Sequence, residues 1–482
     1  MKLQRRWLAL AVAALALGGC SLEPVYHPPT VAVANDVWKE GPWQPAQPAD
    51  KLPRGNWWSM YNDPVLSGLE EKIEPANPTL ASALARFEQS TAYIDQLRSG
   101  LFPSIDSGAS FTQNRQSDNR PLRGSNQPDV YMANTVAVGA TYDLDLWGRV
   151  RSMVHSGQAN AQATADEVEN VRLSLHAQLA DYYVRLRGLD EQANLLKDTV
   201  DAYTRALQFT QDRHKGGIAS GLDVARAQTQ LSLVRSQVSN IAAQRALYEH
   251  AIASLIGQPA MSFSLEAVRG SMAVPEIPVA IPSVLLQRRP DLAAAERRVA
   301  AANANIGVAR AAFYPDFSLV AGYGFQNTGE GGLLTVPNSF WTLGPGVIFN
   351  LFDAGLREAK LQQAKANLEQ VGADYRSAAL TAFQQVQDDL SQLKYSRESE
   401  QEQEEAVKSS ATTLKLAFNR YREGAVNYLE VVTAQADALS AQRSALDLHT
   451  QQLRTSVDLI RALGGGWSQE SLADVKTVAS KQ

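Results

Sequence analysis

The residues that could do chemistry are few and far apart. Cys20 is the one thiol in 482 residues, so it can form no intrachain disulfide and no multi-cysteine metal cage. A lone thiol can still act as a nucleophile toward an activated carbon. Six histidines, at 27, 155, 176, 214, 250 and 449, stand singly without metal-ligand spacing. No His-Glu-x-x-His, Gly-x-Ser-x-Gly or Walker pattern occurs, and Gly464-Gly465-Gly466 ends a helical pattern instead of opening one after a strand. The adjacent acids Asp388 and Asp389 lie in an Arg-, Gln- and Glu-rich stretch and read as a solvated helix face. Enzyme readings, with or without a metal or other cofactor, are therefore poor. Six unclustered methionines argue against a copper or silver path. Lys plus Arg number 45 against 50 Asp plus Glu, so nothing supplies the basic surface that nucleic acid requires.

The elements around Cys20 give its thiol a task. Residues 2 to 6 are positively charged overall, Trp7 to Leu17 is an apolar run, and Leu17-Gly18-Gly19 brings small residues up to the cysteine. This is the layout of a secretory leader spanning 1–19, and its apolar run is shorter than the roughly 20 residues that cross a bilayer as a helix. Leu17-Gly18-Gly19-Cys20 resembles a bacterial lipobox, which implies a covalent lipid on Cys20, diacylglycerol on sulfur and an N-acyl chain. Ser21, in place of an aspartate, implies sorting to the outer membrane. More than one acyl chain makes such an anchor stable.

Proline divides the rest of the chain. Residues 129–258 and 346–482 contain none, and an internal proline costs a helix about 3 kcal/mol, so long helices belong there. Ahead of them a Pro- and Trp-rich segment, 20–64, with Trp38, Trp43, Trp57 and Trp58, reads as an extended lead lying on a surface. The chain is also duplicated. Pro78, Leu80, Ala83, Ile94 and Arg98 match Pro290, Leu292, Ala295, Ile306 and Arg310 at an offset of 212. From Leu144/Leu351 through Arg213/Arg420 and Gly217/Gly424 to Gly257/Gly464 the offset is 207. The expected organisation is a first repeat at 65–258, a Pro-rich connection at 259–282, a second repeat at 283–467 and a tail at 468–482.

Each repeat carries two alternating segments. Ile105 to Phe111 and Val130 to Leu146 alternate apolar with small or polar residues in the first copy; Phe317 to Phe325 and Trp341 to Leu351 do so in the second. Period two with aromatics near the ends suits an outer-membrane strand, with lipid on one face and water on the other. Four strands cannot close a membrane barrel, and an open edge in hydrocarbon leaves backbone groups unsatisfied, so oligomerisation follows. Two copies would give eight strands and three would give twelve.

The long helices show a 3.5-residue period. Val168, Leu175, Tyr182, Leu189 and Leu196 are seven apart, with Val171, Leu179, Leu186, Ala193 and Val200 as a second seam, the pattern of a coiled coil. The small and polar residues elsewhere suit solvated or channel-lining faces. Gly217 and Gly424 sit where each helix must reverse, Ser220 and Asn427 can cap the returning helices, and Asp223 and Glu430 fall at the third helical position, where acids are favourable.

Taken together, these motifs resemble the outer-membrane factor family, the TolC-like exit ducts, and its lipid-anchored, OprM-like branch. The residues that carry the resemblance are Asn77 to Leu80, Arg289 to Leu292, Tyr142 to Arg149 and the twin turns Arg213 to Gln228 and Arg420 to Gln435. The resemblance implies a mixed α/β membrane protein: a homotrimer with a twelve-stranded β-barrel in outer-membrane lipid, four strands per chain, continued by a periplasmic α-helical coiled-coil barrel. It implies a passive exit channel for small molecules, served by a periplasmic adaptor and a proton-driven inner-membrane pump. The turns at Gly217, Ser220, Gly424 and Asn427 would dock the adaptor. Leu429, Glu430 and Thr433 would constrict the pore, with Tyr421 and Asp223 as bonding partners. Where the family often has an acid this chain has Thr433, so the charge of the gate rests on Glu430. A duct for protein secretion or for metal-cation efflux is the alternative within transport, and a purely structural coiled-coil lipoprotein leaves the four strands unexplained.

Overall fold

The computed structural model describes residues 21–29, 56–117, 119, 128–277, 289–329 and 331–465. Cys20, Trp38, Trp43 and the expected tail at 468–482 lie outside these residues. The elements run α1 (Pro64–Glu70), α2 (Ile73–Ala76), α3 (Pro78–Ser99), β1 (Ser104–Arg115), β2 (Val130–Leu144), α4 (Arg149–Lys215), α5 (Gly221–Leu255), α6 (Pro290–Ala311), β3 (Asp316–Asn327), β4 (Ser339–Ile348), α7 (Leu356–Arg422) and α8 (Tyr428–Ala462).

The duplication is visible in element lengths. The helices α3 and α6 have 22 residues each, α4 and α7 have 67, α5 and α8 have 35, and strands β1 and β3 have 12. The strands β2 and β4 differ, at 15 and 10 residues. The offset between the copies is 212 at β1 and β3 and 207 at the starts of α4 and α7, so the register between the repeats changes across the stretch that holds the second strands.

The chain divides into two compact units. One takes in the chain start with residues 86–164 and 295–375, and contains the sheet. Its four strands are antiparallel in the order β1-β2-β3-β4. Register puts Ile105 opposite Ala140, Val138 opposite Tyr323, Tyr142 opposite Leu319 and Tyr323 opposite Trp341. Because side chains alternate with period two, these residues share one apolar face with Phe325 and Leu343, and that face is open: Trp341 is 75% exposed. The opposite face carries Asp106, Gly108, Gly139, Thr141, Gly322, Gly324 and Gly346. Both expected second strands end early, at Leu144 and Ile348, for a local reason. Asp145 accepts from the amides of Val150 (3.0 Å) and Arg151 (2.9 Å), and Asp353 from those of Gly355 (3.1 Å) and Arg357 (3.3 Å), so the residues after each strand start the next helix. Residues 21–29 lie on this unit's helices: Asn303 donates to the Pro24 carbonyl (2.8 Å) and His155 pairs with Glu23 (2.9 Å).

The second unit takes in residues 31–85, 165–294 and 376–482. Here the lead departs from expectation. Trp57–Tyr61 is a buried 3-10 turn, Trp57 is 2% exposed, and the Tyr61 hydroxyl meets Ser456 Oγ at 2.6 Å. Aromatic surface of this size gains more by burial than an extended lead would give it. Asp63 caps α1 through the amides of Val65 and Leu66, with Pro64 in the first turn. On α4 the expected seam is buried at Val168, Leu175, Leu179, Leu186, Leu189 and Leu196. A further face, with His176, Tyr183, Arg187 and Asp190, is buried too.

Candidate functional site

The twin turns belong to the second unit, and each is built from the same parts. At the end of α4 the amides of Gly216, Gly217, Ile218 and Ala219 bond back to the carbonyls of Asp212, His214, Arg213 and Arg213. That reversal needs a left-handed residue, and Gly217 supplies it with φ of 74°. Gly424 does the same after α7, with φ of 79° and an Ala425 to Arg420 bond of 2.9 Å. Ser220 then opens α5 with a reciprocal capping box: Asp223 N donates to its Oγ (3.2 Å) and Ser220 N donates to Asp223 Oδ2 (3.3 Å). Asn427 opens α8 by accepting from the Leu429 amide (3.0 Å).

Behind the turns is an aromatic block. Tyr421, 3% exposed, packs edge-on to Tyr428 at 5.0 Å and to Phe209 at 6.4 Å, and Phe209 meets Phe418 at 5.9 Å. Burial raises the Tyr421 hydroxyl's pKa and pushes that of Tyr428 up to about 12, so both stay neutral at ordinary pH. The block continues into a buried cluster with Leu196, Tyr203, Leu207, Leu231 and Val431.

The expected constricting residues share the open face at the start of α8. Leu429, Glu430 and Thr433 are exposed, while Tyr428, Val431, Ala434 and Gln435 are buried. Thr433 Oγ1 donates to the Leu429 carbonyl (3.1 Å) and carries no charge. Glu430 lies 3.6 Å from Arg420 with both side chains half or more exposed, a pairing that contributes little in solvent. Asp223 is engaged in the Ser220 capping box, and the Tyr421 hydroxyl is buried behind the turn.

Sequence reasoning missed Arg213 as a site residue. Its guanidinium lies over the Tyr421 ring (4.9 Å) and near that of Phe209 (5.8 Å), and Nη1 donates to the carbonyls of Tyr421 and Arg422, both at 2.8 Å. The signal available was the pair Arg213/Arg420 at the repeat offset. Also missed was a buried polar chain along α4. The Tyr183 hydroxyl donates to Asp63 (2.7 Å), Arg187 donates to Tyr183 (2.9 Å) and to Asp190 (2.9 Å), and Arg245 donates to Asp190 (2.7 Å) and to the Leu265 carbonyl (2.7 Å). This network ties the lead and the Pro-rich connection to α4 and α5, so buried charges are paired. Among the described residues no three His, Cys, Asp or Glu side chains are grouped to hold a metal, and no helix is long and apolar enough to cross a membrane.

Comparison with known proteins agrees with this architecture. A family model described as outer membrane efflux protein matches twice, at residues 71–258 and 281–465. The chain is 33% identical over 469 residues to the antibiotic efflux pump outer membrane protein ArpC of Pseudomonas putida, covering 96% of each. It has the same identity and coverage with the toluene efflux pump outer membrane protein TtgC of Pseudomonas putida. Among solved structures, the outer-membrane channel OprN superposes with a TM-score of 0.83 at 28% identity, covering 93% of this chain and all of that one.

Proposed function

The chain belongs to the outer membrane efflux protein family, and from that premise we propose how this efflux channel of the outer membrane is assembled and gated. Three copies form the duct, each giving four strands to a twelve-stranded barrel. One observation carries this reading: the four-stranded sheet ends in two strands, β1 and β4, each with a partner on one side only, and its apolar face is open. In hydrocarbon an unpaired edge costs several kcal/mol per backbone group, so neighbouring copies must supply the missing pairs. Cys20 carries the lipid that anchors the chain.

Beyond the barrel the duct is passive and carries no catalysis of its own. A periplasmic adaptor docks on the turns at Gly217, Ser220, Gly424 and Asn427, and a proton-driven inner-membrane pump supplies the energy. Leu429, Glu430 and Thr433 narrow the mouth, backed by Tyr421 and by the Asp223 cap. The cargo is small toxic molecules, a reading supported by relatives named for antibiotic and toluene efflux. In-cell photo-crosslinking from Ser220 or Asn427 tests the docking assignment. Capture of a periplasmic adaptor supports it; no adaptor captured, with the pump expressed and the channel assembled, removes it.

A further inference from the structure

The twin turns are alike in backbone and unlike in how they are tied together. At the end of α7 the amides of Glu423, Gly424 and Ala425 serve the carbonyls of Asn419, Tyr421 and Arg420. Arg422 O takes its bond from Arg213, which also adds a second donor to Tyr421 O. A helix leaves its last carbonyls without intrahelical donors, and here a guanidinium from the first repeat supplies them. Among the described residues the reverse contact is missing: Arg420, the repeat counterpart of Arg213, turns to Glu430 on α8. The two turns are thus tied together by a side chain of the first and not by its counterpart in the second.

We propose that Arg213 is a positioning residue for the pore mouth: its guanidinium, wedged on Tyr421 and bonded to the Tyr421 and Arg422 carbonyls, clamps the α7–α8 turn to the end of α4. The proposal rests on the reading of the twin turns as the mouth. While the clamp is shut, Leu429, Glu430 and Thr433 on the first turns of α8 keep their station relative to α4. Any swing of the α7–α8 turn alone must break both carbonyl bonds and slide the guanidinium off the Tyr421 ring. Lysine cannot reproduce this, since it lacks the planar face that stacks and the fixed fork of donors.

Planar-bilayer conductance of the full-length channel tests it. Thr433→Cys labelled with a bulky maleimide, beside equally treated wild type, is the control for the mouth. A fall in conductance on labelling supports the mouth, and no fall removes the mouth and the clamp with it. With the mouth in place, Arg213→Ala should raise resting conductance several-fold, and Arg213→Lys should raise it to a lesser degree. Unchanged conductance in both variants overturns the clamp. So does wild-type conductance in Arg213→Lys beside a raised value in Arg213→Ala, because charge at a helix end would then suffice.

Discussion

Glu70 and His176 form a buried pair: Glu70 Oε2 lies 2.7 Å from His176 Nδ1, with the carboxylate fully buried and the imidazole almost so. Trp58 stacks on the imidazole at 4.5 Å, and Glu74, itself bonded to Arg172, approaches the far ring nitrogen at 3.6 Å. Glu169 faces the same Arg172. Burial pushes the Glu70 carboxyl up to about 7 against the opposing bond from His176. Burial also works against charge on His176, but the bonds to Glu70 and Glu74 outweigh it and the net direction is upward.

Both groups therefore hold protons more tightly in the folded chain than in the unfolded one. The stability they contribute is fully present below the unfolded values of 4.5 and 6.5, and it is lost as pH rises through about 7 for Glu70 and through the raised value for His176. Amide protection in α1, which carries Glu70, is expected to fall as pH rises from 4.5 through about 7 and on through the raised value of His176. The double variant Glu70→Gln, His176→Gln should flatten that slope, and an equal slope in the variant would assign it elsewhere. His176→Ala alone leaves the Glu70 carboxyl buried without the partner that lowers its pKa, so it should take up a proton at neutral pH and the chain should lose stability.

Two glycines with similar backbone angles should respond differently to the same change. Gly257 has φ of 69°, and an added Cβ would lie 2.4 Å from the Ala76 carbonyl oxygen, a backbone atom that cannot step aside. Gly217 has φ of 74° with nothing within 4 Å. Gly217→Ala is expected to cost about 1 kcal/mol from backbone conformation alone, and Gly257→Ala clearly more. Denaturant midpoints for the two variants decide this, and equal losses would contradict it.

The two faces of the sheet can be told apart by charge. Leu343, 65% exposed on the apolar face, faces lipid in the barrel, where an arginine costs about 2–4 kcal/mol at mid-depth. Leu343→Arg should therefore reach the outer membrane poorly. Thr342→Arg, one residue away on the other face, should assemble and shift ion selectivity. Membrane fractionation and bilayer recordings read the two outcomes, and equal assembly of both would count against a lipid-facing surface.

Cys20→Ser should abolish metabolic labelling with palmitate, because the chain has no other thiol to take the lipid. Retained label in the variant would show that the acyl chain is carried elsewhere.

Period and spacing made most of the fold legible. Alternation from Ile105 to Phe111 and from Phe317 to Phe325 located strands, and the shared offset of Gly217 and Gly424 located the turns. What stayed hidden has a common cause. His176, Tyr183 and Asp190 are seven residues apart on α4 and look like a solvated polar stripe, yet their partners come from Glu70, Asp63 and Arg245, far away in sequence. Periodicity reports that a face is polar and cannot report that another polar segment covers it. Arg213 was hidden similarly, since a basic residue before a glycine turn is favourable at any helix end. The strand end at Leu144 was misread because Asp145 continues the alternation while its carboxylate already belongs to the next helix, and the one at Ile348 because Phe349 and Leu351 prolong the apolar face past the last paired residue.

The equal helix lengths, 67 with 67 and 35 with 35, make each repeat a ruler for the other. A heptad inserted into α4 alone would carry Arg213 about 10 Å past the carbonyls it serves, and would leave α5 unable to return to Leu255, whose carbonyl receives Asn77. Any descendant of this chain that lengthens its helices must make the same edit four times, so growth in this architecture is quantised and point substitution is its ordinary route of change.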